Sequence, residues 1–208
     1  MTAAANLAVL LSGGGRTLLN LLDRIDDGSL PARVTLVVAS RECPGAERAR
    51  QRGLTVRIEP GDIPSARFQS MLRDSGAAFA ALAGYLRLVP IPDGFEDRIV
   101  NIHPALLPSF GGAGLYGERV HRAVLSAGCK VSGCTVHLCD GRYDTGPILV
   151  QRACPVLHDD TPETLAARVF EEEKKAYPEA LAALIEGRVR FCDAPDATGR
   201  RIARIIPA

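Results

Sequence analysis

The chain has 208 residues, and its 25 Lys+Arg against 24 Asp+Glu leave a formal net charge of +1, so no global field draws it to nucleic acid or an anionic membrane. With no Trp and 5% aromatic residues it has little to offer a base-stacking platform, while 47% hydrophobic residues are enough to bury one sizeable core. The start, MTAAANLAVLLSGGG, lacks a basic leader, and the apolar runs are too short to span a bilayer, so a soluble cytoplasmic protein is expected.

In chain order, Leu7–Leu11 reads as a buried strand, followed by Gly13-Gly14-Gly15 and a helical pattern over Thr17–Asp26. Val34–Ala39 is a second strand, Ala46–Arg52 a short helix, Thr55–Ile58 a third strand and Ser65–Asp74 a third helix. Ala77–Ala83 and Ile99–Ile102 complete a series of apolar strands separated by helices, which indicates a parallel sheet covered on both faces. Beyond residue 110 the pattern changes. Gly117–Ser126 is helical, and Val131–Leu138 and Pro147–Val156 read as two strands joined by the loop Asp140–Gly146. That pair fits a hairpin, so a mixed sheet is expected. Thr161-Pro162 starts a last helix, with Thr as cap and Pro at the first position; a break or kink is expected at Pro178 and the end near Gly187. Residues 193–208 carry no core pattern and read as a loosely ordered tail.

Four features carry candidate chemistry. Ser12-Gly13-Gly14-Gly15-Arg16-Thr17 lies between a strand and a helix, where exposed backbone N–H groups favour phosphate. The dinucleotide fingerprint is incomplete: Leu18 stands where the third glycine belongs, and Ser40-Arg41 follows the second strand in place of an acid. A monophosphate on a small substrate fits better, with Arg16 adding a charge-assisted contact; a tight turn without a ligand is the other reading. Asn101 and His103 alternate on one strand and share a face, and Pro104 keeps His103 extended. An amide donor beside an imidazole suits acyl chemistry, although a satisfied structural histidine would look the same. Asp144 is either an ordinary turn residue or, if the fold brings it to His103, the carboxylate that orients the imidazole and raises its pKa. Glu173 falls on the apolar stripe of Leu165 and Val169, so it needs a partner: a Lys or Arg of the protein, or a polar ligand. The six cysteines form no CxxC pair. Cys134, His137 and Cys139 raise a zinc question, but positions 134 and 137 of one strand face opposite ways, so structural free cysteines are expected.

Together these segments resemble the formyltransferase family that uses 10-formyltetrahydrofolate. The match is carried by LLSGGGRTLLNLL (10–22), PGAERARQRGL (44–54), LAGYLRLV (82–89), NIHPALLPSF (101–110), VSGCTVHLCDGRYDTGPILVQRACPV (131–156) and DTPETLAARVFEEEKKAYPEAL (160–181). The Ser-Gly-x-Gly loop and the lack of extra domains are similar to the branch that formylates glycinamide ribonucleotide. The resemblance implies a Rossmann-like three-layer α/β fold, a mostly parallel sheet of about seven strands with an antiparallel portion in the C-terminal half. It implies one domain over 1–192, with a phosphate-binding lobe at about 1–100 and a catalytic and folate lobe at about 101–192. It assigns Asn101, His103 and Asp144 to catalysis. Gly14, Gly15, Arg16, Thr17 and Glu173 go to the ribonucleotide, and Leu86, Arg87, Leu88, Val89, Asn101, Asp140, Gly141, Arg142 and Tyr143 to the folate.

The co-substrate implied is 10-formyltetrahydrofolate, with no metal, in a monomer or homodimer that has no nucleic-acid or membrane partner. The substrate amine would attack the formyl carbon directly, with Asn101 and a protonated His103 stabilising the oxyanion. Two departures stand out: the family loop usually has Ser-Asn where this chain has Arg16-Thr17, and Gly111–Arg119 is long enough to form a mobile lid or a different rim. A deformylase shares the trio but should lack the phosphate loop and carry an extra N-terminal domain. A methionyl-tRNA formyltransferase would need a C-terminal RNA-binding domain, a sugar-nucleotide formyltransferase would need more length, and a non-catalytic nucleotide-binding module would use the glycine loop alone.

Overall fold

A computed structural model describes residues 4–197 and 199–207. Seven strands form one sheet in the order β3-β2-β1-β4-β5-β6-β7: β1 Ala5–Leu11, β2 Ala32–Ala39, β3 Val56–Ile58, β4 Phe79–Leu82, β5 Ile99–His103, β6 Val131–Leu138 and β7 Ile148–Pro155. The first five run parallel, and β6 and β7 run antiparallel to their neighbours. Five helices cover the sheet: α1 Arg16–Asp26, α2 Pro44–Gln51, α3 Ser65–Asp74, α4 Glu118–Ser126 and α5 Pro162–Ile185. The mixed sheet and the hairpin read from the sequence are both present, with boundaries moved by a residue or two.

Period-two alternation along the buried strands supplies both cores. On β1, Leu7, Val9 and Leu11 face the α1, α2, α4 and α5 side, while Ala8 and Leu10 face Phe68, Met71 and Leu72 of α3. The chain leaves β1 toward β2 and β3, then returns to the other side of β1 as β4. This reversal opens a crevice at the carboxyl ends of β1 and β4, where an open α/β sheet binds its ligands.

Two sequence expectations need correction. Helix α5 runs through Pro178 without ending. The proline cannot donate to the carbonyl four residues back, that of Lys174, but Asn20 Nδ2 of α1 donates to that oxygen at 3.3 Å. A neighbouring helix thus supplies the donor that the proline lacks. Second, residues beyond 192 are not loose throughout: β9 Ala203–Ile205 pairs antiparallel with β8 Val189–Phe191. The apolar content of this hairpin was too low to register as core, and polar contacts described below hold it.

Candidate active site

Strand β5 delivers Asn101 and His103 to the carboxyl end of the sheet, and antiparallel pairing sets His137 of β6 directly across from Asn101. The loop between β6 and β7 then returns Asp144, in a left-handed backbone conformation (φ 58°), between the two imidazoles. His103 Nδ1 lies 3.4 Å from Asp144 Oδ2, and His137 Nε2 lies 3.4 Å from Asp144 Oδ1. Asn101 Nδ2 is 3.1 Å from His137 Nε2 and 3.5 Å from Asp144 Oδ1. The three residues singled out on chemical grounds therefore meet in one network, and Asp144 is no ordinary turn residue.

Tautomers follow from the partners. His137 Nδ1 sits 2.9 Å from the carbonyl of Leu138, which assigns its proton to Nδ1 and leaves Nε2 to accept from Asn101. His103 Nε2 sits 2.8 Å from the carbonyl of Phe110, so Nε2 carries the proton and Nδ1 faces Asp144. Burial pushes the His103 pKa down and outweighs the upward pull of Asp144 and of the Phe110 carbonyl, so the imidazole is neutral in the resting site. The carboxylate acts on His103 in the expected upward direction, but desolvation is larger. For Asp144, burial pushes the carboxyl up, yet the contacts from His137 and His103 and the N–H of Gly112 hold it below the usual carboxylate range.

The segment after the histidine folds over this network. Thr135 Oγ1 donates to the Ala105 carbonyl at 2.7 Å and accepts from Leu107 N–H at 3.0 Å, fixing the exit from β5. Gly112 N–H then donates to Asp144 Oδ2 at 2.8 Å. At Gly111 a Cβ would lie 2.4 Å from Leu107 Cδ2 and 3.2 Å from Asp144 Cβ, so a side chain here would displace Leu107 and press on the carboxylate residue. The 111–119 segment thus rims the site, tied to Asp144 at one end, with residues 112–118 lining a cavity of about 480 Å³.

At the other end of that cavity lie Arg16, Thr17, Phe170 and Glu173. The Arg16 guanidinium stacks on the Phe170 ring, 4.5 Å from its centroid. Glu173 has no ion-pair or hydrogen-bond partner among the described residues. Burial raises its pKa to about 7 against the downward pull of Arg16. Its position on the apolar stripe is thus resolved toward the cavity. Gly15 caps α1 with φ 76° and without a side chain, so the first-turn N–H groups carry no side-chain cap. Gly14 and Gly15 themselves do not line the cavity. A Cβ on Gly15 would meet Gly45 Cα at 2.7 Å, so this glycine also serves a backbone crossing with the start of α2. The Arg48 guanidinium bonds to the Gly14 carbonyl and Arg41 Nε donates to the Ser12 carbonyl at 3.3 Å, turning these loop oxygens toward protein cations.

The remaining sequence-selected residues divide between two spaces. Leu86 lines the large cavity, Arg87, Leu88, Val89, Gly141 and Arg142 surround an adjoining recess of about 40 Å³ that also touches Asn101, His137 and Asp144, and Tyr143 lines both. Asp140 lines neither; it accepts from Thr145 Oγ1 at 2.8 Å and from Arg142 N–H at 3.2 Å and so organises the loop that carries Asp144. Two histidines escaped the sequence reading as site residues. His137 was weighed only as a zinc ligand, and its cross-strand register with Asn101 was the missing signal. His121 of α4 lines the large cavity, buried, with Nδ1 unpartnered and its pKa lowered by burial and by His103 and Arg16. All six cysteines are free, and among the described residues no three His, Cys, Asp or Glu side chains form a metal-ligating group. Among them, too, no helix is long and apolar enough to cross a membrane.

An amide, an imidazole and a carboxylate thus converge where two neighbouring spaces share lining residues, on a sheet covered on both faces. The chain belongs to the formyl transferase family, whose model matches residues 5–181. It is 45% identical over 195 residues to the chloroplastic phosphoribosylglycinamide formyltransferase of Arabidopsis thaliana, covering 89% of this chain and 67% of that one. It is 36% identical over 209 residues to the phosphoribosylglycinamide formyltransferase of Mycobacterium tuberculosis, covering 97% and 94%. The chain thus spans about two thirds of the plant relative and nearly all of the bacterial one. Among solved structures, the glycinamide ribonucleotide transformylase 1 of Symbiobacterium toebii superposes with a TM-score of 0.86 at 38% identity, covering 98% of this chain and 95% of that one. A formyltetrahydrofolate deformylase from Pseudomonas syringae superposes at 0.82 with 22% identity, covering 97% and 66%, and shares the fold.

Proposed function

We propose that this protein transfers the formyl group of 10-formyltetrahydrofolate to the amine of glycinamide ribonucleotide, the reaction of purine biosynthesis that yields formylglycinamide ribonucleotide and tetrahydrofolate. The observation that carries this reading is the convergence of Asn101, His103 and Asp144 at the junction of the two spaces. The uncapped start of α1 and the unpartnered Glu173 mark the far end of the larger one. The phosphate would sit at the first-turn N–H groups of α1, with Arg16 and Thr17 beside it. Glu173 would accept from ribose hydroxyls. The recess beside Leu88, Val89 and Tyr143 would take one edge of the pteridine, with the rest of the folate lying in the larger cavity that shares Asn101, Tyr143 and Asp144 with it.

The formyl folate supplies the electrophilic carbon; the residues position and neutralise charge. Both hydrogens of the Asn101 amide are engaged in the resting site, and the longer contact, 3.5 Å to Asp144 Oδ1, is the one an incoming oxygen would replace. His103 accepts the proton lost by the attacking amine at Nδ1, where the Asp144 carboxylate stabilises the resulting imidazolium at 3.4 Å. The same proton is then available to the departing folate nitrogen. Because Gly112 N–H donates to it and its carboxyl is held below the usual carboxylate range, Asp144 stays ionised and in place for this exchange at neutral pH.

The test is folate release by the purified protein with and without glycinamide ribonucleotide. Release that depends on the ribonucleotide is expected. Release without it would make the protein a deformylase, and tight ribonucleotide binding with no release would leave a binding module.

A further inference from the structure

We propose that Arg200 is a positioning residue for Asp144, delivered to the site by a C-terminal hairpin that lies outside the segment shared with the family model. The inference rests on the proposed formyl transfer. Arg200 Nη2 donates to the backbone carbonyl of Asp144 at 2.7 Å, and the side chain is half-buried. Asp144 stands at the turn between β6 and β7 in a left-handed conformation, uncommon for a non-glycine residue though tolerated by Asp in turns, so its main chain gains from an outside anchor. From inside the site the carboxylate is held by Gly112 N–H. From outside, the guanidinium holds the same residue by its main chain. A charge-assisted bond to that carbonyl fixes the direction of the Cα–Cβ bond, and with it the 3.4 Å approaches to His103 and His137.

The hairpin is built to hold Arg200 in place. Asp196 N–H donates to the Arg200 carbonyl at 2.9 Å and Arg200 N–H donates back to Asp196 Oδ1 at 2.9 Å, closing a tight turn. The next residue, Arg201, forms a two-pronged pair with Asp97 at 2.8 and 3.0 Å and stacks on the Phe191 ring at 4.1 Å. β9 pairs with β8, which leaves directly from α5. Arg200 is thus fastened on one side to the loop before β5 and on the other to the long helix. A purely structural strap would need only the Asp97 and Phe191 contacts. The additional guanidinium on the main chain of Asp144 is what assigns Arg200 to the chemistry.

Two readouts in the full-length protein test this: steady-state kinetics, and hydrogen exchange of the Gly112 amide in the absence of substrates. Arg200→Ala is expected to lower kcat about ten-fold while both KM values stay within about two-fold, because a misdirected carboxylate harms the transition state more than binding. Gly112 exchange should accelerate about ten-fold as its acceptor loosens. Arg200→Lys, which keeps a cationic donor and is the variant to use if Arg200→Ala does not fold, should fall between the two in both readouts. A folded variant with kcat within two-fold of the parent, or one that loses thermal stability with unchanged Gly112 exchange, would overturn the inference. An inactive parent would overturn the formyl-transfer reading instead, and the exchange measurement would still report on Arg200.

Discussion

Replacing Glu173 by glutamine should stabilise the ligand-free protein, and by an amount that grows with pH. The carboxyl titrates near its ordinary 4.5 in the unfolded chain and at about 7 in the folded one, because burial penalises its charge and Arg16 only partly compensates. A group with a raised folded pKa contributes stability that is fully present below the unfolded value and is lost as pH rises through the folded value. Full ionisation in the folded state therefore costs about 3 kcal/mol at most. Glu173 is only half-buried and faces an open cavity, so about 1–2 kcal/mol is the expected realised cost. Glutamine has the same shape and does not ionise. Its advantage should be negligible at pH 4.5, grow up to pH 7 and then level off. In a chain of 208 residues this corresponds to a rise in Tm of roughly 3–6 °C at pH 8. Thermal melts of both proteins at pH 5 and pH 8 make the comparison. An equal difference at the two pH values, or a less stable glutamine variant at pH 8, would refute the burial argument. The same substitution should weaken ribonucleotide binding, because the charged carboxylate is the better acceptor for ribose hydroxyls.

Asp144→Asn removes the charge that receives the proton-bearing His103 and should lower kcat by about 10²-fold or more with a modest change in folate affinity; wild-type turnover would remove Asp144 from the mechanism. Asn101→Ala deletes the amide donor and should cost roughly 10²–10³-fold in kcat, whereas turnover within two-fold of wild type would refute its role. Gly15→Ala places a Cβ 2.7 Å from Gly45 Cα at a residue with φ 76°, so the crossing of the two loops must open. A loss of about 1–3 kcal/mol in urea unfolding is expected, with a raised KM for the ribonucleotide and little change in KM for the folate.

What the sequence revealed followed the range of the interactions involved. Alternation on a strand was enough to place Asn101 and His103 on one face, and helical spacing was enough to mark Glu173 as a carboxylate where an apolar residue belonged. Both are local rules. The features that escaped depend on contacts between distant segments. Pro178 lies inside α5, where Asn20 of α1, 154 residues before Lys174, donates to the Lys174 carbonyl that the proline leaves free. His137 joins the network only through the register of β5 against β6. Gly15 meets Gly45 across two loops, and Arg200 reaches Asp144 across 56 residues. The resting charge of His103 also depends on a long-range feature. The attracting carboxylate could be named from the sequence, but the depth of burial that outweighs it emerges only when the 110–112 segment closes over the ring.

The central claim is that the formyl carbon passes to an amine held at the phosphate end of the cavity. A single turnover with a donor carrying carbon-13 in its formyl group, followed by carbon NMR in the presence of glycinamide ribonucleotide, tests this directly. The account predicts the label in a formamide bonded to the ribonucleotide nitrogen. Label recovered as free formate, with the ribonucleotide unchanged, would contradict it.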